Sequence, residues 1–227
     1  MDEIRIGLFT SSQIYRLMGA PKPMATYIQE KQWERDLGIN IQVETSSHPL
    51  SWGRIMEGYV YENHIEIEYE LSSQQTTLHE YELWCGTKDL KKDNCIADIK
   101  CPSSRLSFCS LSDVLLQQDI ELFKKEYPEY YWQLVSNSVL EKVDNAELIV
   151  WMPYPSEHEG IIEYIEGIDN MQDQLDIQWV MHAPSSRLPF IPEGRKYKNI
   201  VRFAFEVPVD EKTALEEKVY DCSRLFV

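Results

Sequence analysis

The spacing of apolar positions changes several times along the chain, and each change predicts an element. Thr10-Ser11-Ser12 reads as a helix N-cap followed by Ile14, Leu17 and Met18 on one face. Pro21 and Pro23 interrupt, and a helix is predicted over 24–37, closed by Gly38. After the loop Ser46-Ser47-His48-Pro49, a helix over 49–65 turns Trp52, Ile55 and Tyr59 inward. The period then falls to two. Ile65, Ile67 and Tyr69 predict a strand over 66–71, and Tyr81, Leu83 and Cys85 one over 80–89. Lys91-Lys92-Asp93-Asn94 is a turn, and Cys95 to Lys100 is a third strand that Pro102 and two serines end. Helices are expected over 111–125 and 128–142, then an apolar strand over 146–152 with 160–166 as its hairpin partner. A helix over 168–182, a long loop over 183–199, a strand over 199–207 and a helix over 210–221 complete the chain. This order implies an α/β fold with a mixed central β-sheet flanked by helices.

Composition narrows the setting. A chain of 227 residues suits one domain, and 43% hydrophobic residues can build a sizeable core. No stretch approaches the ~20 apolar residues that span a bilayer, so no membrane partner is expected. Met1-Asp2-Glu3-Ile4-Arg5 lacks a basic region followed by an apolar run, which argues against a secretory signal. Five cysteines, at 85, 95, 101, 109 and 222, form no Cys-x-x-Cys pair. That pattern opposes a zinc ribbon or disulfide framework and fits a reducing cytoplasm. The net charge of −16 opposes broad nucleic-acid binding. DNA contacts would have to come from local clusters: Lys88, Lys91 and Lys92; Lys100 and Arg105; Arg187, Arg195, Lys196, Lys198 and Arg202.

One segment carries candidate chemistry. Along Ala97-Asp98-Ile99-Lys100, alternation puts Asp98 and Lys100 on one face and Ile99 on the other. With a hairpin loop at Lys92-Asp93, Asp89 would face Ile96 and become a diagonal neighbour of Asp98; an odd-length loop would separate the acids. Two close carboxylates repel when ionised, and a divalent cation removes the penalty. Oxygen ligands favour Mg²⁺, or Mn²⁺ in its place, over zinc. Asp-x-Lys alone is a common surface pattern; the preceding acid-bearing strand is what makes it informative.

Asp89, Asp98 and Lys100 resemble the PD-(D/E)XK nuclease signature. Asp98-Ile99-Lys100-Cys101-Pro102 is similar to the catalytic strand of lambda exonuclease and its YqaJ-like relatives. Further matches follow in the family's order: Arg5 through Ser12, Trp52 through Glu57, Thr87, and Tyr130-Tyr131-Trp132-Gln133-Leu134. The resemblance covers about residues 5–152, leaving 153–227 as a strand–helix extension of a single nuclease domain spanning 1–227. It implies a 5′–3′ exonuclease on double-stranded DNA ends. Asp89, Asp98 and the main-chain carbonyl of Ile99 would hold metal, Glu57 would support a second ion, Lys100 would orient water, and Gln133 would complete the site. Arg5, Ser12 and Thr87 would grip the terminal phosphate. It also implies a homotrimer, a single-strand annealing partner, and a phage or prophage protein in bacterial cytoplasm. The chain departs from the pattern in three ways: Asp98 stands for the more frequent glutamate, Lys88 stands where the signature has proline, and the charge opposes a basic channel.

Three alternatives compete. An endonuclease could use the same core. A RecB-like nuclease would group cysteines near an iron–sulfur cluster, yet only Cys222 lies near the C-terminal end, and Gln133 is followed by Asn137 rather than by tyrosine. A catalytically silent binding or assembly protein would suit the acidic surface but gives no physical reason for adjacent carboxylates.

Overall fold

The computed structural model describes residues 5–41, 47–71 and 76–226. The expectations for 1–4 and for Ser46 lie outside them. The chain opens with β1 (Phe9–Thr10), a 3-10 turn, α1 (Tyr15–Met18) and α2 (Pro21–Leu37). The prolines do not interrupt α2. Pro21 occupies its first turn, where no N–H is needed, and Gly38 closes it with φ 67°. Next comes α3 (His48–Val60), extended by a π-turn over Tyr61–Ile65.

The strands over 66–71 and 80–89 are shorter than alternation suggested. β2 is Glu70–Leu71, β3 Thr77–Leu78, β4 Trp84–Gly86 and β5 Leu90–Lys92. Ile67 is 101% exposed and Tyr81 71%, so neither belongs to an inward face. The π-turn carries Ile65 inward instead, and Trp84 and Leu90 supply the burial. β6 (Cys95–Lys100) follows as expected. The predicted helix over 111–125 is two helices, α4 (Arg105–Leu115) and α5 (Ile120–Glu126). Ser104 and Asp119 each cap the new start, accepting from Ser107 N–H and Leu122 N–H. α6 (Pro128–Glu141) and β7 (Asn145–Trp151) match expectation.

Residues 160–166 are not a strand. They lie in α7 (His158–Glu166), where Ile161 and Ile165, one turn apart, are buried. After α8 (Met171–Ile177), α9 (Trp179–His182) and a largely irregular run, β8 (Ile200–Glu206) takes the hairpin place beside β7, followed by α10 (Val209–Ser223).

The main sheet is mixed, in order β2-β5-β6-β7-β8, with β6 and β7 parallel. A second, smaller sheet has the order β1-β4-β3. One face of the main sheet presents Ile96, Leu148, Val150 and Phe203 to a core shared with α1, α2, α4, α5, α6 and α10. The other presents Ala97, Ile99, Ile149 and Trp151 to a core shared with α3 and α7. The alternation along β6 is thus real: Ile96 and Ile99 belong to opposite cores. The parallel β6–β7 step forces a crossover, and α4, α5 and α6 form it, which packs α6 against both strands.

Candidate active site

The β5–β6 hairpin turns on Asp93-Asn94, with Asp93 at φ 44°. Leu90 therefore pairs with Ala97, Lys91 with Ile96 and Lys92 with Cys95. This register is shifted by two residues from the expected one. An even shift preserves the faces, but the ladder ends at the Leu90–Ala97 pair and Asp89 lies just before it. Asp89 precedes β5 and is held by its side chain: its Oδ2 accepts the Ile99 N–H at 2.8 Å.

Asp98 is 1% exposed. Gln133 on α6 donates to its Oδ1 at 3.0 Å, and the Lys100 ammonium pairs with its Oδ2. Lys100 thus stands two residues along the same strand face, as alternation requires. Burial works against its charge, but Asp98, Asp89 and Glu57 outweigh that and hold its pKa above the ordinary lysine value. The acids bear the opposite strain. Burial, then Asp98 and Glu57, push Asp89 well above the usual carboxylate range, against the pull of Lys100 and the Ile99 N–H. Burial raises Glu57 on α3 to about 7, with Asp98 adding to the shift and Lys100 and Arg54 opposing it.

Three carboxylates therefore share one ammonium, with Arg54 at the rim already paired to Asp173 and Asp176. An oxygen-rich, charge-deficient site of this kind fits a hard divalent cation. Among the described residues no three His, Cys, Asp or Glu side chains form a ready ligand cage. A bound ion would draw on two carboxylates, a main-chain carbonyl and water.

The three residues expected to grip phosphate come together. Arg5 donates to Thr76 Oγ1 at 3.1 Å and to the Thr87 hydroxyl. Arg5, Ser12, Thr87 and Gln133 line one cleft of about 190 Å³. Thr87 also lines a second cleft of about 380 Å³ with Asp89, Ile99 and Glu57. Glu57 and Lys100 open onto a third, of about 720 Å³, with Tyr127 and Tyr130 among its walls. Tyr131 and Trp132 are buried in the core, but Tyr130 is only partly covered and faces this opening. Eight of the nine residues expected at the site line one of these clefts, and the ninth, Asp98, is buried against Gln133 and Lys100, which do.

The basic clusters fare differently. Lys88 and Lys91 both pair with Glu141, Arg202 with Glu147 and Glu68, and Lys196 with Asp113. Arg105 donates to the carbonyls of Leu188 and Phe190. These cations serve the fold, and they do not form a basic face.

Sequence reasoning overlooked Thr76, Ser136, Asn137 and Glu141. Ser136 Oγ lies 2.8 Å from Ser11 Oγ, Asn137 donates to the Thr87 carbonyl at 3.3 Å, and Glu141 accepts from Thr77 and Lys88 at 2.7 Å each. The signal was present: Gln133, Ser136, Asn137 and Glu141 repeat at helical spacing and form one polar stripe on an otherwise apolar helix. Thr76 has no comparable signal.

No family model and no curated protein matches the chain by sequence. Solved structures match in shape. LHK-Exo in complex with dAMP aligns at TM-score 0.63 and 13% identity, over 97% of this chain and 88% of that one. The alkaline exonuclease LHK-Exo from Laribacter hongkongensis aligns at 0.60 and 14%, over 96% and 87%. A phage-related exonuclease from Haemophilus somnus aligns at 0.61 and 14%, over 96% and 93%. Over nearly its whole length, then, the chain has the fold of the alkaline and phage-related exonucleases, in keeping with the likeness to lambda exonuclease read from its motifs.

Proposed function

We propose that the chain is a Mg²⁺-dependent deoxyribonuclease, a 5′–3′ exonuclease on double-stranded DNA ends. One observation carries the reading: two acids and a lysine converge beside a cleft lined by Arg5, Ser12 and Thr87, on an exonuclease fold. The exonuclease names of the structural neighbours support it.

The chain's own groups divide the work. Asp89 and Asp98, with the Ile99 carbonyl, would hold Mg²⁺, and Glu57 would support a second ion. Bound there, Mg²⁺ polarises a phosphoryl oxygen and acidifies water. Gln133 fixes Asp98, and the Ile99 N–H fixes Asp89, so neither carboxylate swings when substrate enters. Lys100 places its ammonium where a water would approach phosphorus and where charge builds on the transferring phosphate. Arg5, Ser12 and Thr87 take the terminal 5′-phosphate, which sets the scissile bond one nucleotide away. Water adds to phosphorus as the P–O3′ bond breaks. The released mononucleotide leaves with a 3′-hydroxyl, and the shortened strand keeps a new 5′-phosphate for the same clamp. We further propose a single nuclease domain acting in phage-type recombination beside a strand-annealing protein, as a homotrimer, which the resemblance to lambda exonuclease implies. No described helix is long and apolar enough to cross a membrane.

The test is cleavage of end-labelled linear duplex with Mg²⁺, against covalently closed circles. The account expects mononucleotides from linear DNA alone, and loss of at least about a thousandfold in Asp98→Ala. Nicked circles would instead indicate an endonuclease. No cleavage of either substrate would leave the silent binding protein.

A further inference from the structure

The three residues that join β4 to β5 carry two of the site's groups, Thr87 and Asp89, yet lie outside both sheets. No strand ladder sets their position. They are tied down from the α6 side. Lys88 reaches Glu141 at 2.7 Å, and Lys91, just past the connection, reaches the other Glu141 oxygen at 3.0 Å. The Glu141 side chain is only 10% exposed and also accepts from Thr77, which follows Thr76, an Arg5 partner. Asn137, one turn earlier, holds the Thr87 carbonyl. At Gly86 the backbone comes so near α6 that an added Cβ would stand 2.4 Å from Asn137 Oδ1 and 2.9 Å from Leu140 Cδ1.

Burying a carboxylate this deeply is costly unless its oxygens are satisfied, and here three donors satisfy them: Thr77 on β3, Lys88 within the connection and Lys91 on β5. A rigid helix thus measures the distance between the phosphate cleft and the acids. Its Gln133 end fixes Asp98, and its Glu141 end fixes the segment that carries Thr87 and Asp89.

We propose that Glu141 is a positioning residue that sets Thr87 and Asp89 against Asp98 through Lys88, Lys91 and Thr77. It touches no reacting atom. The inference rests on the nuclease reading for its consequence, but not for its structural core.

The experiment has two arms on the full chain. In the first, amide exchange at Ile99, whose N–H is held by Asp89, is followed in wild type, Glu141→Gln and Glu141→Ala. Exchange at Ile99 should quicken by about tenfold in Glu141→Ala and by less in Glu141→Gln, which keeps one acceptor. Amides of β7 should be unchanged, which reports an intact fold. In the second, duplexes ending in 5′-phosphate or 5′-hydroxyl are bound in EDTA and read by anisotropy. Wild type should prefer the phosphate, and Glu141→Ala should lose about tenfold of that preference, while the surface control Lys125→Ala keeps it. Unchanged Ile99 exchange in Glu141→Ala overturns the proposal. Faster exchange with no phosphate preference in wild type upholds the positioning role and removes the phosphate clamp from the nuclease reading.

Discussion

At the residue scale the site is a problem of charge. Asp98 is enclosed by partners, whereas Asp89 and Glu57 are held above the usual carboxylate range by burial first and then by Asp98, with Glu57 adding to the shift of Asp89. The consequence for stability has a definite sign. Glu57 binds its proton in the folded chain up to about pH 7, against an ordinary value of 4.5, so between those values the folded state holds more protons than the unfolded one. Stability of the metal-free protein should therefore fall as pH rises through this window. Denaturant unfolding in EDTA at several pH values measures it, and Glu57→Gln should flatten the slope. A slope unchanged by that substitution would remove Glu57 from the charge cluster. Lys100 behaves differently. Lys100→Ala should bind divalent ions at least as tightly as wild type, because a competing cation is gone, yet lose cleavage by about a hundredfold or more. Calorimetry and a cleavage assay separate the two effects, and retained full activity would show that the lysine has no part in the reaction.

Among the elements, α6 and the short connection from β4 to β5 decide how the parts meet. Gly86→Ala tests that closeness. Its new methyl would meet Ser11 Oγ as well as Asn137, and overpacking of this kind costs about 1–3 kcal/mol. Chemical unfolding should report that loss, along with weaker discrimination for a 5′-phosphate; a wild-type midpoint would mean that the contact relaxes without strain. The same elements show what was legible in the sequence. The β6 alternation, helix α6 and the meeting of Asp89 with Asp98 could all be read, because parity along a strand and the helical repeat survive errors of two residues. The strands before β5 could not. Ile65, Ile67 and Tyr69 alternate, yet a π-turn consumes the first and leaves the second in solvent. Residues 160–166 were ambiguous by period alone, since Ile161 and Ile165 fit a helix while the run of apolar residues also fits a short strand. The polar stripe on α6 needed the β4–β5 connection in place before its meaning showed.

For the whole molecule, the proposed DNA substrate sets a polyanion against a net charge of −16. The structure intensifies the question, because Lys88, Lys91, Lys196 and Arg202 are paired with the chain's own acids. These cations are held by the chain's own carboxylates, and the salt dependence of DNA binding should be shallow. A plot of log affinity against log salt should have a slope of roughly −2 to −3, as expected for two or three phosphate contacts. A slope near −8 would reveal a basic surface formed by assembly. Such a protein would engage DNA at its end and through divalent ions, and would gain little from the length of the duplex. That dependence on the ion is the centre of the account. Diffraction from crystals soaked in Mn²⁺, recorded at its absorption edge, locates the ion directly. The account predicts an anomalous peak between the carboxylates of Asp89 and Asp98, absent in Asp98→Ala. Saturating Mn²⁺ with no peak between those two acids would contradict it.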